Sequence, residues 1–279
     1  MSDPAVSGID RRSEFLYLAE VVEPSVRPNV RRLERFRPRA GSDEMDVVAE
    51  NLRLAVPDVE VIFKHLSLIG SDPRSLDARG RFELTRSVLE PENDYCFDLL
   101  CSSKHNRQVG LIYRHDRLAE LTGYYGVKGD VTGRYLARAA ALGSGYLTFS
   151  RRVPGDLVAL ADYDGRLFSI CLICKNEIVS LARLDLPVPD TSPERTALEL
   201  KTVINLKLAD LAGSGINLPL SALILNGIPE GTEVWEAVAR YFPAGITTPE
   251  INRGYLSENT ACGNEAAEDY LVALGLTLN

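Results

Sequence analysis

The sequence predicts a mixed α/β or α+β fold, and three features carry that prediction. Apolar, strand-like runs alternate with segments of helical period along most of the chain. The dipeptide Asp164-Gly165 lies between two runs of strand formers, 157–161 and 167–173, which is a strong hairpin signal. One long amphipathic segment follows, with Ala197, Leu200, Ile204, Leu208 and Leu211 on a single face that must meet a core.

In chain order, the run 13–22 reads as a strand, Pro24 and Pro28 bracket a turn, and 29–36 is its hairpin partner, ended by Pro38. Ser42-Asp43-Glu44 suits a helix start, with Met45, Val48 and Leu52 at helical spacing behind it. The run 59–68 reads as a strand. Ser71-Asp72-Pro73 opens a helix that reaches about Leu89 and stops before Pro91. Residues 95–101 and 109–113 are strand-like, and 116–125 and 131–142 have helical character.

The second half begins near Gly145. Its strands are 157–161, 167–173 and 178–184, with a short linker at 187–190. Ser192 caps the long helix with Pro193 at its first position, and Gly213 and Gly215 end it. A short strand ends at Asn226-Gly227. Residues 230–241 read as a helix whose Trp235, beside Val234, Val238 and Tyr241, belongs to a core. The closing segment 264–276 reads as a helix buried through Ala267, Tyr270, Leu271 and Leu274. Each half starts with a polar turn feeding a hairpin, at Asp10-Arg11-Arg12-Ser13 and at Asp162-Tyr163-Asp164-Gly165. An acid at the end of the first strand of each half is what a duplicated two-lobe fold would carry.

A chain of 279 residues that is 45% hydrophobic can build one large domain or two lobes. Its net charge of -8 argues against a general nucleic-acid binder. No apolar run approaches the ~20 residues of a membrane span. The first residues lack a basic-then-apolar signal pattern, and five cysteines without such a signal read as reduced thiols of a cytosol.

Cys171-x-x-Cys174 has redox or metal-ligand spacing, but inside a strand residues three apart point to opposite faces. With no second cysteine pair or nearby histidine in the sequence, no metal site is expected, and buried structural thiols are the reading there. Cys96, Cys101 and Cys262 are read the same way. Of His65, His105 and His115, the last opens a helix after a strand. It has no Ser or Cys elbow beside it, so no catalytic residue is expected. Arg27, Arg31, Arg32, Arg35, Arg37 and Arg39 crowd one segment, relieved only by Glu34. They read either as an edge hairpin whose charges block strand pairing or as a contact for an acidic partner or anionic headgroups.

The ordered pattern resembles the PilM family, cytoplasmic actin-like proteins of type IV pilus assembly with related lobes in type II secretion. Gly8-Ile9-Asp10 resembles the start of that family's first phosphate loop, and 77–98 its inserted subdomain. Residues 109–118 resemble the strand-to-helix step after the insert, and 121–127 with 131–142 the passage back into the lobe. The hairpin, the long helix, Leu223-Ile224-Leu225-Asn226-Gly227 and the closing Ala273-Leu274-Gly275-Leu276 follow in family order.

The resemblance implies an α/β, actin-like (ribonuclease H-like) two-lobe fold. The first lobe would be 1–148, with an insert at about 71–130, and the second 149–279. The second would be shortened, because 184–192 is brief where the family carries a roofing subdomain. A remnant nucleotide site would comprise Asp10, Arg12, Asp162, Gly165, Asn226 and Gly227. Arg12 stands where the family's first loop needs a glycine for close approach to phosphate. Its guanidinium has the chemistry to bind phosphate, but it is read as a solvated turn residue. Asp164 and the bulky Arg166 and Leu167 replace the small residues of the second loop, and Ile228-Pro229 interrupts the third.

The expectation is therefore a pseudo-ATPase: a non-catalytic bacterial scaffold with no cofactor. The alternative is an active ATPase or sugar-kinase-type phosphotransferase, in which Asp10 or Asp162 serves ATP and Mg²⁺. By resemblance, its partner would be the cytoplasmic tail of an inner-membrane assembly protein, held in a groove within 59–142. The protein would be cytoplasmic and peripheral to the inner membrane through that partner, with homo-oligomerisation left open.

Overall fold

The structure is a computed structural model. It describes residues 5–22, 28–37, 51–67, 73–88, 92–102, 104–105, 107–125, 134–186, 192–257, 260 and 266–278. The chain runs β1 (Val6–Arg12), β2 (Phe15–Val22), β3 (Asn29–Phe36), β4 (Leu52–Val56), β5 (Val61–Ser67), α1 (Pro73–Thr85), β6 (Tyr95–Ser102), β7 (Arg107–Arg114), α2 (His115–Tyr125), β8 (Arg134–Ala137) and α3 (Arg138–Phe149). It continues with β9 (Leu157–Tyr163), β10 (Leu167–Cys174), β11 (Glu177–Asp185), α4 (Pro193–Gly213), β12 (Ala222–Asn226), α5 (Glu233–Tyr241), β13 (Ile246–Thr247) and α6 (Leu271–Leu276).

Packing divides the chain into two compact units. One comprises Met1–Pro57, Leu118–Arg152 and Pro249–Asn279; the other comprises Asp58–Arg117 and Val153–Thr248. The first unit is built on a sheet of order β3-β2-β1-β4-β8. β1 is antiparallel to β2 and parallel to β4, and β4 is parallel to β8. A two-residue turn, Ser13-Glu14, joins β1 to β2, with Ser13 at φ 51°. α3 and α6 lie close together because bare backbone meets bare backbone: a Cβ on Gly275 would sit 1.8 Å from the carbonyl oxygen of Ala141. All six residues of α6 are buried.

The second unit repeats the same plan in the order β11-β10-β9-β12-β13. β9 is antiparallel to β10 and parallel to β12, and β12 is parallel to β13. Ala197, Leu200, Ile204 and Leu211 of α4 join Phe168, Ile170, Trp235 and Val238 in its core. The Ser192 hydroxyl accepts the Arg195 N–H at 3.3 Å and fixes the start of α4. The inserted stretch runs over 58–117 and not the expected 71–130, and it adds a smaller sheet, β5-β7-β6, with Leu84 of α1 packed on Leu66 and Ile112. Polar contacts join this insert to the larger sheet and its helix. His65 Nε2 accepts the Leu181 N–H at 3.2 Å, and Arg107 donates to Ser214 Oγ at 2.6 Å.

Several expectations are corrected. Residues 6–12 form a fully paired strand, although their polar end hides it in the sequence. Leu52 is in β4 and not at the end of a helix; the rest of that expected helix, with Met45 and Val48, lies outside the described residues. The helical reading of 131–142 divides at Ala137 into β8 and an Ala-rich α3 that runs on to Phe149. The contiguous division at 148/149 gives way to discontinuous units, since α6 packs on β1 and α3 while the insert clusters with the second sheet. A short helix apolar on every side must be covered, and tertiary packing decides by what. Among the described residues no helix is long and apolar enough to cross a membrane.

Candidate functional site

The six residues expected around a remnant nucleotide site fall in two groups, one in each unit. In the first unit Asp10 lies near the end of β1 and is 1% exposed. Arg12, two residues on and on the same face of the strand, is 7% exposed and places Nε 3.2 Å from Asp10 Oδ2. Arg138, the first residue of α3 and 2% exposed, places Nε 3.1 Å from Oδ1 and Nη2 3.3 Å from Oδ2. One carboxylate is thus held between two buried guanidinium groups, a charge-assisted geometry stronger than a neutral hydrogen bond.

Arg12 is therefore not the solvated turn residue that its position suggested. Period-two alternation carries it inward with Asp10, and its guanidinium also lies 5.3 Å from the centre of the Tyr17 ring. Arg138 is the residue that sequence reading missed, because nothing local links it to Asp10 128 positions earlier. Tyr125 packs nearby and donates to the carbonyl of Ala55 at 2.5 Å. Burial first, and then the Asp10 carboxylate, pushes its hydroxyl well above the usual tyrosine range.

In the second unit Asp162 occupies the matching place on β9 and is 0% exposed. Its register partner on β12 is Asn226, whose Nδ2 donates to Asp162 Oδ1 at 2.6 Å. Gly227 follows at φ +76°, where a Cβ would fall 2.1 Å from the carbonyl oxygen of Tyr163. Only glycine permits that close approach. The turn to β10 is closed by Asp164, whose Oδ1 accepts the N–H groups of Arg166 and Leu167, both at 2.9 Å. Gly165 supplies the positive φ of that turn, at +104°.

These geometries bear directly on a bound nucleotide. A phosphate-binding loop offers backbone N–H groups to an anion, but here an internal carboxylate already takes those of Arg166 and Leu167. A carboxylate that serves Mg²⁺ or its water needs open lone pairs facing the ion. The carboxylate of Asp10 instead faces two cations that would repel Mg²⁺. In the first unit the residues around Asp10 do not fit Mg²⁺, because two cations occupy the side from which the ion would approach.

The other candidates are placed as follows. Cys171 and Cys174 are both buried in β10, and burial raises both thiols. Among the described residues no three potential metal ligands cluster. His115 does open α2, with a ring nitrogen 3.3 Å from Cys96 Sγ, and burial raises that thiol as well. Of the arginine-rich segment, Arg31, Arg32 and Arg37 pair with Glu20, Glu34 and Glu14, and Arg35 stacks on Phe15 at 4.3 Å. Arg27, Arg39 and Cys262 lie outside the described residues.

No protein-family model and no curated protein matches this sequence. Solved structures do match. A chain of the PilM-PilN type IV pilus biogenesis complex is 13% identical, with 98% of this chain and 97% of that one covered, at a TM-score of 0.59. A protein of actin-like ATPase fold and unknown function from Bacteroides thetaiotaomicron is 10% identical over 88% and 91%, at 0.51. The cytoplasmic domain of EpsL, an inner-membrane component of the type II secretion system of Vibrio cholerae, is 12% identical over 97% and 94%, at 0.50. The repeated five-stranded sheets, each with a buried acid on its first central strand, and these full-length matches establish that the chain has the actin-like fold.

Proposed function

We propose that this protein is a non-catalytic actin-like scaffold of a type IV pilus or type II secretion assembly, binding the cytoplasmic tail of an inner-membrane partner. The observation that carries the non-catalytic part is the engagement of the Asp10 carboxylate by two buried arginines. Asp10 is held by Arg12 and Arg138, Asp162 by Asn226, and the loop amides after Gly165 by Asp164. Random loss of activity would be expected to leave open loops. Here the chemistry is replaced by contacts that stabilise the sheets. The assembly part is supported by similarity to a PilM-PilN complex chain and to an inner-membrane component's cytoplasmic domain. A scaffold of this kind would work in the cytoplasm, held at the inner membrane by its partner.

Two measurements test the reading. Thermal unfolding with and without Mg-ATP is expected to give the same midpoint, because a ligand at 100 times its Kd would add about 2.7 kcal/mol of stability. A clear upward shift would overturn the non-catalytic reading. Pull-down with synthetic cytoplasmic tails of inner-membrane assembly proteins is expected to retain this chain. Retention by none of them would remove the scaffold assignment.

A further inference from the structure

In the second unit, β5 and β11 are the outermost strands of their sheets, and both border one cleft of about 460 Å³. That size lies within the range of specific ligand pockets. Residues 59–63, 181–183 and two positions on α4 contribute to its walls. Its apolar part includes Val59 and Ile62, which remain 45% and 55% exposed, together with Tyr95 and Val203.

The charged lining is one-sided, with Arg114, Arg183 and Lys207 against Glu60 alone. The acids that pair with these cations, Asp116, Asp185 and Asp210, are exposed and are not part of the lining. Pairs whose acid is exposed in this way contribute little, so an incoming carboxylate can replace them at small cost. On a chain of net charge -8, the cleft is a local inversion of sign.

We infer that this cleft is a docking site for an extended peptide whose apolar side chains are flanked by Asp or Glu. The apolar groups cover Ile62 and Val203, and the carboxylates meet Arg114, Arg183 and Lys207. The inference rests on the scaffold reading only in expecting the peptide to belong to a protein partner. It moves the contact away from a groove confined to 59–142, since β11 and α4 supply part of the walls.

The experiment selects binders from a random dodecamer peptide library on the immobilised full chain and measures their affinity by fluorescence polarisation. Two variants are compared, Ile62→Asp and the double variant Arg114→Glu/Lys207→Glu, each first checked for an unchanged unfolding midpoint. Arg183 is left intact because it also donates to the carbonyl of Asp58 at 2.7 Å. The selected peptides are expected to combine acidic and apolar residues. Either variant should weaken them at least about tenfold, and so should raising salt from about 0.05 M to about 0.5 M. Arg31→Glu, on β3 of the other unit, should leave affinity unchanged. Peptides without acidic bias, equal binding to all variants, or no selected peptide would each overturn the inference. If an assembly-protein tail binds wild type and cleft variants alike, the cleft assignment fails and the scaffold reading stands. If acidic peptides bind as expected but no such tail does, the scaffold reading fails and the cleft stands.

Discussion

In the first five-stranded sheet, the acid of the opening strand, Asp10, is locked by the charges of Arg12 and Arg138. In the second, the acid at the same topological place, Asp162, is held by the neutral amide of Asn226. The strand order and directions are the same, and both carboxylates are out of solvent. The difference lies in what remains when the acid is removed. An amide that loses a carboxylate partner can turn and bond another polar group. Two buried guanidinium groups that lose theirs keep their charge, and no rotation discharges them. Matching architecture therefore conceals unequal dependence on one residue.

The largest expected effect follows from this asymmetry. Asp10→Asn should lower unfolding stability by about 3–5 kcal/mol, the usual cost of stripping one partner from a buried ionic cluster. Urea unfolding followed by circular dichroism would measure it. The comparison sharpens if Asp10, Arg12 and Arg138 are replaced together by Leu, Met and Met. An apolar set of similar volume is expected to be neutral or stabilising, since such clusters often repay no more than their desolvation. A loss as large as that of the single variant would show that Asp10 does not act through the two arginines.

Gly227 offers the next contrast. In the second sheet, the strand beside Asp162 ends in a glycine at φ +76°, pressed on the Tyr163 carbonyl. Its counterpart in the first sheet, β4, runs into Pro57. Gly227→Ala forces a side chain into the left-handed region and into a 2.1 Å contact, for an expected loss of about 2–4 kcal/mol. Asp162→Asn should cost less, about 1–2 kcal/mol, because a neutral amide pair replaces a charged hydrogen bond without leaving a buried charge. Equal costs for Asp10→Asn and Asp162→Asn would break the comparison.

How much of this was legible in the sequence depends on how far apart the partners lie. The hairpins at 15–36 and 157–174, the cap at Ser192, the stripe on α4 and the core place of Trp235 all rest on local pattern, and the structure has them. β1 and β8 were not legible. Asp10-Arg11-Arg12 breaks the alternation of one, and the other is four residues long and runs directly into a helix. The acids themselves could be picked out, but not their state. Asn226 is 64 positions from Asp162, and Arg138 is 128 from Asp10. No spacing rule connects such pairs, so Arg12 looked like a surface residue until the fold brought Arg138 to the same carboxylate. The cleft was hidden for the same reason, since β5, β11 and α4 meet only in the folded unit.

The smallest expected effect again separates charge from neutral hydrogen bonding. His65 bonds through Nε2 to the Leu181 N–H and lies 3.0 Å from Ser180 Oγ, which requires the neutral ring. Burial, and then the cations Lys207 and Arg107, hold its pKa down to about 4 from 6.5, against a weaker opposing pull from Asp210. The unfolded chain then takes up a proton between pH 6.5 and 4 that the folded chain refuses. Stability contributed by neutral His65 is complete above about pH 6.5, falls as the pH drops, and stops falling below about 4. At pH 5 the full linkage amounts to about 2 kcal/mol, and partial exposure of the ring reduces it to about 1 kcal/mol. Unfolding midpoints of wild type and His65→Gln between pH 7 and 5 would isolate the effect, because the amide cannot titrate. Parallel pH profiles would mean that folding does not lower the proton affinity of His65. A converging pair would place the acid-sensitive joint of the second unit at β5 and β11, the strands that border the cleft.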